Sequence, residues 1–169
     1  MFHGWESFYI MAGTAAATLT GLLFVVITLG TGLSTPHAVL GVSAFLTPTL
    51  VHFVGVLLQA MAVLVPWPSA WPIGIILCLF GLVGLAYVIV IIRKLRKLDF
   101  VSLHRLDWIP YAGLPILGDV SLIAGGAGLI VGTFFAPYAI AGAITLFLFV
   151  GIYGSWDLTL WIVRNRDAR

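Results

Sequence analysis

No lysine or arginine stands before Arg93 and none between Arg105 and Arg164, so the eight cations of this 169-residue chain fall into two clusters. Charge of either sign is scarce: 8% of residues are charged and 62% hydrophobic, where soluble domains carry about 25% charged residues. That ratio excludes a water-soluble core and a large active site outside the membrane. Cysteine is reduced to Cys78, alone in an apolar stretch, which leaves no disulfide and no thiolate metal cluster. There is no GxSxG, HExxH, Walker loop or Cys–His pair, and no nucleophile beside a base. Neither an enzyme nor a cofactor is expected. No Ser-, Pro- or Gln-rich linker divides the chain, so residues 1–169 read as one transmembrane domain. MFHGWESFY lacks a basic n-region and the apolar run behind it is too long for a signal h-region, so it reads as a retained span.

What is present is apolar sequence in lengths that cross a bilayer, with a mean hydropathy of +1.16. The expected fold is an all-α integral membrane protein of five transmembrane helices, at about 8–30, 38–65, 72–92, 112–135 and 138–163. Pro36 suits the first turn of the second span. Pro48 inside that span predicts a kink or an unwound turn. The links TGLSTPH, PWPSAW and FFAPYA supply turns, the second with interfacial tryptophans. Gly74, Gly81 and Gly84 form a packing stripe on the third span. Gly125, Gly126, Gly128 and Gly132 do so on the fourth, which is expected at the centre of the bundle, Gly128 and Gly132 forming a small-xxx-small pair.

With five spans, the loop after the third and the tail after the fifth lie on one side, and they hold every cation. By the positive-inside rule the C-terminus is cytoplasmic and the N-terminus outside. Trp5, Trp67, Trp71 and Tyr138 agree as an outer girdle, Trp108, Tyr111 and Trp161 as an inner one. The loop 93–110 reads as a basic amphipathic segment in the headgroup plane, with Arg93, Lys94, Arg96, Lys97 and Arg105 on anionic lipid. This placement suits membrane lipids as partners and gives no track for nucleic acid.

Ionisable groups within spans cost about 2.5–3.5 kcal/mol on insertion scales, so they face a cavity or a partner. Glu6, His52, Asp119 and Asp157 qualify. Counted from the cytoplasmic helix ends, Asp119 and Asp157 fall at similar depth on consecutive antiparallel helices and are expected to meet. One would then hold a proton, or the pair a cation. Ser121, Ser155, Thr47 and Ser43 would add oxygen ligands. The bland alternative pairs each Asp with Arg164 or Arg105, or with helix backbone. Pro48, His52, Gly55 and Gln59 share one helical face, so His52 would relay between Gln59 and Glu6 outside and the acid pair inside, or else sit neutral against a hydroxyl or carbonyl. His3 and Glu6 in HxxE are weak grounds for a metal, and no metal site is expected; a haem clamp lacks a second histidine at depth.

The stretch TAAATLTGLLFVVITL resembles a pattern in small, uncharacterised bacterial multispanning proteins. The resemblance implies a bacterial inner membrane and carries no activity. The residues themselves point to a small homo-oligomeric channel for a cation or protons, lined by Asp119, Asp157, His52, Gln59 and Glu6. The alternative is a structural or regulatory subunit that binds a larger membrane protein or anionic lipid. A secondary transporter would need a pair of repeats, and none is found.

Overall fold

The computed structural model describes the backbone of residues 2, 4–30, 36–97 and 109–166, and their side chains except those of 29–30, 36–45, 94–97, 161 and 164–166. The described residues contain no strand. They form α1 (Glu6–Gly30), α2 (Pro36–Leu64), α3 (Ala70–Lys97), a π-helical turn (Ile109–Gly113), α4 (Leu114–Val131) and α5 (Ala136–Arg166). Five stretches, Glu6–Thr28, Leu46–Leu64, Ala70–Arg93, Ile109–Val131 and Ala136–Leu160, are helical, long and apolar enough to cross a membrane. Hydroxyls on these helices turn inward on their own backbone: Thr18, Thr20, Thr28, Thr145, Ser155 and Thr159 each donate to the carbonyl four residues back. A polar side chain in lipid is satisfied that way without a partner helix.

The ends of the helices follow from local chemistry. At the start of α1 the Glu6 carboxylate accepts the Gly4 N–H at 2.8 Å, placing negative charge where the helix dipole is positive. The helical run of α2 is unbroken through Pro48. After α2, the Trp67 indole N–H donates to the Ala62 carbonyl at 2.8 Å and locks the Pro-rich turn onto the helix that precedes it. α3 continues through Lys97, so Arg93, Lys94, Arg96 and Lys97 extend a helix where a loop was expected from 93. Lys, Arg and Leu are good helix formers, and cations suit a helix C-terminus. Arg105 and the rest of the expected headgroup segment up to 108 lie outside the described residues.

Gly132 has φ 79° and ends α4, with the Thr133 N–H bonded to the Gly128 carbonyl at 2.8 Å and its own N–H to the Leu129 carbonyl at 3.3 Å. This is a Schellman cap. A Cβ on Gly132 would meet nothing within 4 Å, so the expected packing role of Gly132 is corrected to a turn that needs positive φ. Gly128 does pack, against Ala136 and Thr133.

Side-by-side order differs from chain order. α4 lies between α3 and α5, α5 also packs on α2, and α1 packs on α2 at the far edge, while α2 and α3 touch sparsely. The centre is therefore shared by α4 and α5. Each junction is made by glycine. A Cβ on Gly74 would come 2.7 Å from the Gly126 carbonyl, and one on Gly126 would come 2.7 Å from the Gly74 carbonyl and 3.0 Å from the Cys78 nitrogen. Gly81 meets Ile123 and the Asp119 carbonyl, Gly125 meets Ile140, and Gly118 meets the Phe147 ring. Gly151 receives Phe53 and Gly13 faces Ala60. Small residues let backbones approach where lipid supplies no hydrophobic drive between helices. Between these contacts lies a core of Tyr9, Val56, Ile73, Leu77, Leu122, Ile140 and Ile144.

Candidate functional site

Asp119 is the one acidic side chain among the described residues that is buried, at 3% exposure. It projects from α4 towards α3 because it shares a stripe with Ile123, Gly126 and Ile130, which meet Gly81, Gly74 and Cys78. Its carboxyl rests against the bare Cα of Gly84, where a Cβ would lie 2.6 Å from the carboxyl carbon. No hydrogen bond or ion pair joins it to a described residue.

Asp157 occupies a different place. Its carboxylate accepts the hydroxyl of Tyr111, in the π-helical turn ahead of α4, and the Tyr111 ring lies edge-on to Tyr153 at 6.0 Å. Gly118 fixes the level of Asp119 opposite Phe147, and Phe147 to Asp157 is ten residues along α5, about 15 Å at 1.5 Å per residue. The two carboxyls are thus not brought together, correcting the expected acid pair. Equal counts from the helix ends mislead because α5 runs on past the start of the α4 rod. Removing the Tyr111 hydroxyl isolates this second contact: Tyr111→Phe is expected to lower stability by about 1–3 kcal/mol in a thermal unfolding assay.

His52 lies on α2, half-buried, with Nδ1 2.6 Å from the Pro48 carbonyl and its ring 5.9 Å from that of Phe147. The Nδ1–H donates to the carbonyl, which leaves Nε2 as the acceptor. Phe147 is thus a shared wall, with His52 on its α2 side and Gly118, the neighbour of Asp119, on its α4 side.

No family model, curated protein or solved structure matches this chain. The site therefore stands on its own chemistry.

Two turns beyond His52, Gln59 is 5% exposed, and its Oε1 has no hydrogen-bond partner among the described residues. Gly55 lies between them, and a Cβ there would approach only the Gln59 amide nitrogen, at 3.8 Å. An orphaned buried amide oxygen forfeits its hydration, so Gln59→Leu is expected to be neutral or stabilising in thermal unfolding. Tyr9 is likewise buried with its hydroxyl unpartnered among the described residues, packed edge-on against Phe2 and Phe8. Glu6 is exposed at the α1 start, where its carboxylate accepts the Gly4 N–H.

Two of the expected oxygen ligands are engaged elsewhere. Ser121 donates to the Ala139 carbonyl at 2.9 Å and Ser155 to Gly151 at 2.9 Å. Thr47 is exposed, and the side chain of Ser43 lies outside the described set. No three of His, Cys, Asp and Glu converge among the described residues. Sequence reasoning placed Gly84 on a packing stripe and Tyr111 in a girdle but did not link them to Asp119 and Asp157. These partners are 35 and 46 residues away, and no local pattern reports such a pairing. Phe147 had no signal at all beyond being apolar.

Proposed function

We propose that the protein is a small homo-oligomeric membrane channel for protons or another small cation, with Asp119 as the group that carries the ion. The burial of Asp119 carries this reading: a carboxyl 3% exposed within a span, against glycine backbone, without a described counter-charge. Such a group costs about 2.5–3.5 kcal/mol on insertion scales, and packing alone would be served as well by alanine or serine. His52, one aromatic ring away, is the second titratable group on the route, with Gln59 beyond it and Asp157 at the opposite end. In this reading the N-terminus is outside, the clustered cations lie at the cytoplasmic face of a bacterial inner membrane, and Arg93 to Arg105 meet its anionic lipids.

The oligomer has support of its own. The outward face of α1 repeats Ser7, Thr14, Gly21 and Thr28 seven residues apart, with Met11, Thr18 and Val25 between them, all exposed. A seven-residue repeat of small side chains is the geometry of close helix pairing. The same face would equally seat a larger membrane protein, which is the reading of a structural or regulatory subunit. Proteoliposomes holding the purified protein decide between the two. Proton, sodium or potassium flux from a symmetric oligomer supports the channel. A folded monomer that conducts nothing and copurifies with another protein supports the subunit.

A further inference from the structure

We infer that Asp119 is a proton-exchange site that takes no metal ion, and that it is reached from the lipid side of the bundle past Gly84. The inference rests on reading Asp119 as the ion-carrying group and names the ion.

The argument is one of ligands. A calcium ion takes about 6–8 oxygens, and magnesium demands a near-octahedral set. Around the Asp119 carboxyl, α3 presents the Cα of Gly84, while one turn on Gly81 meets the Asp119 carbonyl and the Ile123 side chain. On the α5 side the adjoining Gly118 meets the ring of Phe147, which presents carbon only. Two nearby polar side chains are already used: Ser121 bonds Ala139 on α5, and the Cys78 thiol donates to the Ile123 carbonyl at 3.5 Å. A proton needs one carboxyl oxygen and no coordination shell.

None of the described charged or titratable side chains on the packed elements bonds the carboxyl. On α3 these are Cys78, bonded one turn beyond at Ile123, Tyr87, one turn past Gly84, and Arg93, nearer the end of that helix. On α5, Tyr153 and Asp157 are engaged at Tyr111, and Tyr138 lies at the opposite end beside Trp5. His52 on α2 is on the far side of Phe147.

Access follows from Gly84. Gly84 is itself half-buried and lies within the membrane-crossing stretch of α3, so its outer edge meets lipid. An apolar reagent dissolved in the bilayer can therefore reach the carboxyl where a charged one cannot. Dicyclohexylcarbodiimide is such a reagent. The carboxylic proton passes to one carbodiimide nitrogen and the carboxylate oxygen adds to the central carbon. The acyl group then migrates to nitrogen, giving an N-acylurea that retains every atom of both reactants.

The test treats the full-length protein in proteoliposomes with this reagent over a pH series, with and without sodium, potassium or calcium at constant ionic strength. Adducts are located by peptide mass spectrometry. The expected result is an adduct on Asp119 that falls about tenfold per pH unit above the carboxyl's midpoint and is indifferent to all three cations. A water-soluble, charged carbodiimide is expected to leave Asp119 untouched. Gly84→Ala, which adds one methyl at that point, is expected to reduce the adduct several-fold while thermal unfolding stays cooperative. Protection of Asp119 by any of the cations overturns the inference in favour of a metal site. Absence of the adduct at every pH in folded protein overturns it too. Labelling without flux removes the channel and leaves the proton site standing; cation-protected Asp119 with cation flux does the reverse.

Discussion

Gly126→Val is expected to be the most damaging single substitution in the bundle, lowering stability by about 3 kcal/mol, the upper end for overpacking. At Gly126 the added atoms have nowhere to go. The first of them would sit 2.7 Å from the Gly74 carbonyl and 3.0 Å from the Cys78 nitrogen, both backbone atoms of α3. Backbone cannot rotate aside as a side-chain tip can, so α3 must move away from α4 along this stretch. The displaced surface includes Gly81 and Gly84, and with them the wall of the Asp119 site. Thermal unfolding in detergent measures the loss. Gly142→Val is the matched control, because a Cβ there meets nothing within 4 Å and Gly142 is exposed. An equal loss in both variants would show that helix propensity, and not the α3–α4 approach, sets the effect.

Gly84→Val is expected to abolish ion flux while leaving the helices assembled. The first added carbon would fall 2.6 Å from the Asp119 carboxyl carbon, closer than a Cβ comes to a non-bonded neighbour in folded proteins. Here the obstacle is the end of a short side chain, so the carboxyl turns away and the backbone stays. The cost to stability is about 1–3 kcal/mol, less than that at Gly126, but the ion-carrying group is lost from its place. Flux at the level of protein-free vesicles, with a cooperative unfolding transition retained, is the predicted pair of results. Full flux from the variant would detach Asp119's position from its function.

These two glycines also mark how far the sequence could be read. The five membrane-crossing stretches were legible because apolar runs of bilayer length are bounded by Pro66 and Pro68, by the Arg93 cluster and by Pro137, and no packing knowledge is needed to see them. The end of α3 was not, since the cations from Arg93 on read as a separate amphipathic segment in the headgroup plane, while Lys, Arg and Leu are good helix formers and carry α3 through Lys97. Asp119 was singled out by chemistry, because a carboxylate in a span is costly wherever it points. Its partner was not legible. Helix neighbours follow from which glycine meets which side chain across tens of residues, and chain order suggests α2 beside α3, which touch only sparsely. The supposed meeting of Asp119 with Asp157 failed for a related reason: depth was counted from helix ends, and α5 overshoots the α4 rod. The role given to Gly132 came from spacing, which does not distinguish a packing glycine from one whose φ of 79° closes the helix.

The central claim is that one carboxyl, Asp119, carries the ion, while Asp157 serves as an anchor for Tyr111. It is tested most directly by proton uptake into proteoliposomes under an imposed pH gradient, comparing wild type, Asp119→Asn and Asp157→Asn at matched reconstitution. The prediction is uptake by the wild type, none by Asp119→Asn, and largely retained uptake by Asp157→Asn, with all three proteins folded. Undiminished uptake by Asp119→Asn would contradict the claim.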